Sequence, residues 1–234
     1  MPNKEKSYRR QQELSANRLR QILLIVAGLV VVTIVIVTLI TYQNTPLDVS
    51  FPAREMGPAD AKVVVEIFSD FQCPWCGVFA RGPEITLREQ YAETGKIRYI
   101  YRNFPVVDDF VANGTESHLA AQAALCAGDQ GEFWIYHDAL YLNQSQTENS
   151  GNLSRPRLYA LAVQLQLDGI VFEKCMGDQT HKNVVDADAA LAQSLGIDAT
   201  PNFLVNGQQV EIKTTDFQQL FDAIDASLLA LGGS

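Results

Sequence analysis

The sequence predicts an α/β domain behind a single N-terminal apolar helix, and three stretches carry that prediction. The first is "ILLIVAGLVVVTIVIVTLIT" at residues 22–41, which has no ionisable side chain. The second is the β-branched run "KVVVEIFSD" leading into "FQCPWCGVF". The third is Asn206-Gly207 between two apolar runs, with an amphipathic segment after it.

Residues 22–41 are long enough to cross about 30 Å of hydrocarbon as a helix, so they read as a transmembrane span. The run is too long for the apolar part of a cleaved signal peptide, and "TYQNTPLD" offers no small-x-small cleavage site. A buried core helix is the other reading, disfavoured because almost every face of the run is β-branched or Leu. Lys4, Lys6, Arg9, Arg10, Arg18 and Arg20 precede the span, so residues 1–21 are expected to be a cytoplasmic basic segment. Everything beyond the span is then extracytoplasmic, on the far side of the cell membrane.

Residues 42–60 contain three prolines and little periodicity, as a tether would. The domain is expected over 61–232. "KVVVEIFSD" suits a strand buried on both faces, the stretch from Cys76 to about Thr94 a helix, and "GKIRYIYRNFP" a second strand, together a β-α-β unit. From about 110 to 180 the pattern is helical only: "SHLAAQAALCAG", "EFWIYHDALYL" and "SRPRLYALAVQLQL", with "HKNVVDADAALAQSLG" following. Strands return in "TPNFLVNGQQVEIK", a hairpin turning on Asn206-Gly207. "DFQQLFDAIDASLLALG" closes the chain as an amphipathic helix with Asp216 as a plausible N-cap. Without the helical block, the order is the thioredoxin arrangement.

Charge narrows the function. Six Lys/Arg stand against two acids up to Tyr42, leaving twelve against twenty-five in the remainder, so the domain repels phosphate backbones and nucleic acid binding is set aside. All four cysteines lie beyond the span, where disulfides persist. Cys73 and Cys76 form a local couple, and 48 residues separate Cys126 from Cys175.

With Cys73 between strand and helix and Pro74 at the first helical position, a thiolate would meet unsatisfied N–H groups and the positive end of the helix dipole. Its pKa should fall, with Cys76 one turn on to resolve a mixed disulfide. A zinc site would need four ligands, and neither the distant Cys126 and Cys175 nor His118, His137 and His181 supply a closely spaced second pair. Haem attachment would want His where Gly77 stands. A purely structural CxxC disulfide is the plain alternative. Glu66 would be costly to bury charged and unpaired, and a structural ion pair is one way to hold it. Asp70, at the strand end, is expected to be solvated. Asn113, Asn143 and Asn152 sit in N-x-S/T triplets, which arise by chance and carry nothing further.

"VVVEIFSDFQCPWCGVF", with Thr200-Pro201 and "FLVNG" downstream, resembles the DsbA-like thiol-disulfide oxidoreductases of the thioredoxin superfamily in their membrane-anchored form. The resemblance covers roughly residues 55–232. It implies a thioredoxin fold with a helical insertion, Cys73 and Cys76 as the redox couple, and Glu66 as the acid beneath it. It also implies a cis Pro201 and a substrate-binding edge made by Thr200, Pro201 and Trp75; an ordinary strand-opening proline is the alternative at Pro201. Many members carry His or another aromatic where Trp75 stands, and without an imidazolium the oxidising strength is left open. A second disulfide, Cys126 to Cys175, is implied too, against two buried free thiols. Neither metal nor cofactor is implied. The expected partners are unfolded secreted or membrane proteins, a quinone-linked membrane reoxidase and the bilayer around residues 22–41. Oxidase, reductase or isomerase, and a tethered binding domain with structural disulfides only, are the readings carried forward.

Overall fold

The computed structural model describes residue 24, residues 26–36 and residues 51–232. The chain divides between Pro46 and Leu47. On the N-terminal side, residues 26–36 are helical with exposed apolar side chains. The rest of the 22–41 run, apart from residue 24, lies outside the described residues. Among the described residues, no helix is long and apolar enough to cross a membrane.

The domain is built on a five-stranded sheet in the order β1-β3-β2-β4-β5, with β1 Glu55–Met56, β2 Val64–Ser69, β3 Arg98–Asn103, β4 Asn202–Val205 and β5 Gln208–Val210. β2 and β3 run parallel, while β1, β4 and β5 pair antiparallel with their neighbours. The parallel pair needs a crossover, and the helices α1 (Pro74–Ala80) and α2 (Pro83–Leu87), with a π turn over Arg88–Ala92, supply it. One continuous helix was expected there. Gly82 and Pro83 break it, since Pro83 has no N–H to give the preceding turn and fits only as the first residue of a new one.

Between β3 and β4 the described chain is helical: α3 (Val107–Phe110), α4 (Glu116–Gly128), α5 (Phe133–Leu142), α6 (Arg155–Gln164), α7 (Gly169–Gly177) and α8 (Lys182–Ser194). α7 was not singled out in the sequence, although Asp168 marks its start by accepting hydrogen bonds from the N–H groups of Ile170 and Val171. The hairpin turns on Asn206 and Gly207, both with positive φ, as a two-residue turn between twisted strands requires. α9 (Gln218–Gly232) closes the chain. Asp216 accepts from Gln218 N–H at 3.2 Å but sits one residue ahead of the cap position.

Strand alternation gives the sheet two different faces. On the front, Tyr99, Val65 and Val205 form one cross-strand row and Tyr101, Ile67 and Phe203 the next. They share the main core with Phe79 of α1, Leu220 and Ile224 of α9 and the helices of the insertion. On the back, Phe68 and Leu204 pack with Phe104, Ala192 and Ile197. Cys126 of α4 and Cys175 of α7 are disulfide-bonded with Cα atoms 5.9 Å apart, which stabilises the fold by about 4 kcal/mol in the chain-entropy model for a loop of this length.

The 42–60 tether needs correction over the residues described. Pro52–Arg54 form a 3-10 turn and Glu55–Met56 add the edge strand beside β3, so the domain includes residues well before 61. Their anchor is Arg54. It is fully buried and ion-paired with Asp188 of α8, which also accepts from Asn103 N–H at 3.0 Å and from Arg102 at 3.5 Å. Prolines hid this from the pattern, because a two-residue strand shows no periodicity. Arg54→Ala should lower unfolding free energy by about 3 kcal/mol, because buried Asp188 loses its closest cation and keeps Arg102 at the longer distance of 3.5 Å. Urea denaturation of the full chain checks this, and a loss under about 1 kcal/mol would sink the assignment.

Candidate active site

β2 ends at Ser69, three residues turn, and Cys73 becomes the N-cap of α1 with Pro74 at the first helical position. The turn is closed by Cys73 N–H donating to Asp70 C=O at 3.0 Å and Gly77 N–H donating to Cys73 C=O at 3.1 Å. Both thiols of the couple are free, Cys73 6% and Cys76 1% exposed. Only Cys73 is within reach of a partner.

The two sulfurs differ in acidity for stated reasons. The Cys76 thiol donates to Cys73, and with support from Thr200 and from the N–H groups of Cys76 and Trp75 this brings Cys73 down to about 6 against the pull of burial. Burial pushes Cys76 well up, and the charge of Cys73 adds to it; Asp70 N–H and the Ser69 hydroxyl offset only part. Near neutral pH one sulfur is charged and the other holds the proton. That is the division a nucleophile and its resolving partner need.

The Thr200–Pro201 peptide is cis and immediately precedes β4. As a thiol, Cys73 donates to Thr200 C=O at 3.3 Å, so residues 127 positions apart in the chain meet at one sulfur. Trp75 is 53% exposed, and with Thr200, Pro201, Ile212 and Phe217 it lines an open groove of about 270 Å³. The structure thus brings together five of the predicted residues: Cys73, Cys76, Trp75, Thr200 and Pro201.

Glu66 is not among them. It sits beside Ile100 and Leu204 on the back of the sheet and pairs with Arg102 at 2.6 Å, which is the structural alternative. Parity decides this: Val65, Ile67 and Ser69 face the couple, so Glu66 cannot. The buried acid near the couple is Asp70, 2% exposed rather than solvated. The chain after β2 turns inward, and Asp70 accepts from Ser117 Oγ at 2.6 Å, Gln72 N–H at 2.8 Å and Val107 N–H at 2.9 Å. Burial nevertheless raises its pKa to about 7, with the charge of Cys73 adding to the rise.

Ser69 and Tyr141 were missed. Ser69 Oγ lies 2.8 Å from Tyr141 Oη, which is 2.9 Å from Tyr101 Oη, so hydroxyls rather than a carboxylate lie behind Cys76. The same parity that excludes Glu66 could have found Ser69; nothing local points to Tyr141. Elsewhere Cys126, Cys175 and His181 bring ligand atoms close together, but the two sulfurs are bonded to each other and His181 is 2.7 Å from Asp129.

Residues 52–226 match the family model described as thioredoxin. A probable disulfide bond formation protein D of Bacillus anthracis is 32% identical over 178 residues, covering 75% of this chain and 78% of the relative. The sodium/proton antiporter NhaA 1 of Salinispora arenicola is 34% identical over 65% of this chain, which spans only 21% of the antiporter. Among solved structures, oxidised BdbD of Bacillus subtilis superposes with a TM-score of 0.65 at 26% identity, covering 76% of this chain and 95% of that one. The Wolbachia pipientis protein α-DsbA1, 22% identical with a TM-score of 0.62, shares the fold and covers 75% and 90% of the two chains.

Asp70 gives a prediction with a definite sign. Its folded pKa lies above the ordinary 3.8, so the stability it contributes is fully present below pH 4 and is lost as pH rises to about 7. The unfolding free energy of the native chain minus that of Asp70→Asn should therefore fall across this window and level off above it. Urea midpoints of both proteins at several pH values measure the difference, and a flat difference would show that Asp70 ionises as an exposed acid does.

Proposed function

Because the chain belongs to the thioredoxin family and is a protein thiol-disulfide oxidoreductase, with relatives that are named disulfide bond formation proteins, we propose that it works as an extracytoplasmic disulfide donor. The observation that carries the reading is the acidity of Cys73, brought to about 6 at the mouth of the groove while Cys76 stays protonated behind it. An acidic thiol is a good leaving group, and a stable thiolate favours the dithiol, which makes the disulfide the stronger oxidant.

In the donor direction a substrate thiolate attacks Cys73 Sγ of the Cys73–Cys76 disulfide. The S–S bond breaks, and Cys76 leaves with the electron pair and takes up a proton, helped by Ser69 Oγ and Asp70 N–H. A second substrate thiolate then attacks the substrate sulfur of the mixed disulfide, and Cys73 leaves as thiolate. The substrate has lost two electrons and gained a disulfide, and the couple is a dithiol, the state seen here. The open groove along Trp75 and Thr200-Pro201 supports extended, unfolded chains as the substrate class. Reoxidation falls to a membrane partner, quinone-linked as the resemblance implies. Residues 22–41 are the proposed tether, on the strength of their apolar sequence and the six preceding Lys/Arg.

A reductase or isomerase on the same couple is the second reading, and Trp75 favours it, since it offers no cation to stabilise Cys73 further. The two differ in reduction potential. Purified full chain, equilibrated in glutathione buffers, should lie on the oxidising side of about −200 mV, and a value of about −270 mV selects the reductase.

The chemistry itself is checked by alkylation and turnover. Cys73 should be modified with a midpoint near pH 6. Cys73→Ser should abolish disulfide formation in a reduced, unfolded substrate, and Cys76→Ser, offered a substrate disulfide, should accumulate the mixed disulfide. Turnover by Cys73→Ser at the native rate would falsify the assignment.

A further inference from the structure

The loop that follows α5 reaches back to the couple. Gln144 Nε2 donates to Cys73 C=O at 2.8 Å and to Phe71 C=O at 3.0 Å. Its Oε1 accepts from Arg81 Nη1 at 3.2 Å, and the same nitrogen donates to Tyr141 C=O at 2.8 Å. The amide has one orientation in this setting, because two carbonyls demand its N–H groups and a guanidinium demands its oxygen. Five residues on, Asn149 N–H donates to Gln72 Oε1, so one loop holds all three residues Phe71 to Cys73.

Gly77 supplies an independent sign that this position matters. A Cβ there would lie 2.1 Å from Gln144 Oε1 and 2.7 Å from Arg81 Nη1. Gly77 has negative φ, so no left-handed backbone explains a residue that weakens a seven-residue helix. What the missing Cβ leaves room for is the Gln144 amide.

We propose that Gln144 is a positioning residue of the redox couple: by holding the carbonyls of Phe71 and Cys73, it fixes the turn that aims the Trp75 and Cys76 N–H groups at the Cys73 sulfur. It touches no substrate. It acts by limiting the swing of Cys73 about the start of α1, where small changes in direction weaken a hydrogen bond to a thiolate steeply. Arg81 holds the amide oxygen, and Gly77 lets both approach. The inference rests on Cys73 and Cys76 being a working couple.

The test is the pH profile of Cys73 alkylation in the full-length chain, solubilised in detergent, with thermal unfolding recorded alongside. Cys126 and Cys175 are bonded and Cys76 is buried, so the profile reads Cys73. Gln144→Ala should move the midpoint up by about one unit, making alkylation at pH 5 roughly tenfold slower while leaving it unchanged above pH 9. Gly77→Ala, which displaces the amide, should give the same displacement, and the double variant no more than either single one. An unchanged midpoint in Gln144→Ala overturns the proposal whether or not stability falls, and so does an additive double variant. A native chain with neither an acidic thiol nor exchange activity overturns the proposed function, and this inference with it.

Discussion

A negative charge on the sulfur of Cys73, a residue only 6% exposed, needs the protein to replace much of its water, and the fold is arranged around that requirement. Donors come from three sources: the free N–H groups at the start of α1, the thiol of Cys76, and Thr200 from the far end of the chain. Each depends on a different long-range feature. α1 must begin at Cys73, which needs β2 to stop at Ser69; Cys76 must stay protonated, which needs a dry core behind it; and Thr200 must arrive beside the couple, which needs β4 to pair with β2.

The sheet carries different polar groups on its two faces. Its front face carries the couple and the hydroxyls of Ser69, Tyr141 and Tyr101, groups that share a proton without carrying charge near neutral pH. Its back face carries two ion-paired groups, Glu66 with Arg102 and Asp188 with both Arg102 and Arg54, while the buried carboxyl of Glu84 lies on the front and accepts from Tyr99 Oη at 2.5 Å. A full charge directly behind Cys76 would move its acidity strongly in a low-dielectric core. Hydroxyl groups solvate that sulfur while leaving its proton in place.

The sequence made much of this architecture readable, and the limits have physical causes. The β-α-β unit, the helical block, the Asn206-Gly207 hairpin and the closing helix follow from local periodicity and turn chemistry, and each occurs where those signals stand. The short edge strand Glu55–Met56 carries no period to detect. Cys73, Cys76 and Pro74 were legible because a strand-to-helix junction dictates what a thiol there meets. Thr200-Pro201 came from resemblance, since nothing local says that residue 200 lies beside residue 73. Glu66 stayed open between two readings because its cost of burial was weighed without the parity of its strand, and the ion pair with Arg102 is the one found. Asp70 was misjudged for the opposite reason: a strand end is solvated by default, and only Ser117 and Val107, far along the chain, make it otherwise.

Asp70 also ties the acid–base state of the domain to its redox state. The thiolate of Cys73 raises the pKa of Asp70, and interaction free energies are reciprocal, so an ionised Asp70 makes the thiolate harder to form. When the couple is oxidised, the charge on Cys73 disappears and the carboxyl is released to ionise at lower pH. Reduction therefore draws a proton toward Asp70 as well as toward Cys76. A buried carboxyl three residues ahead of the couple thus senses the charge on Cys73 through the low-dielectric interior.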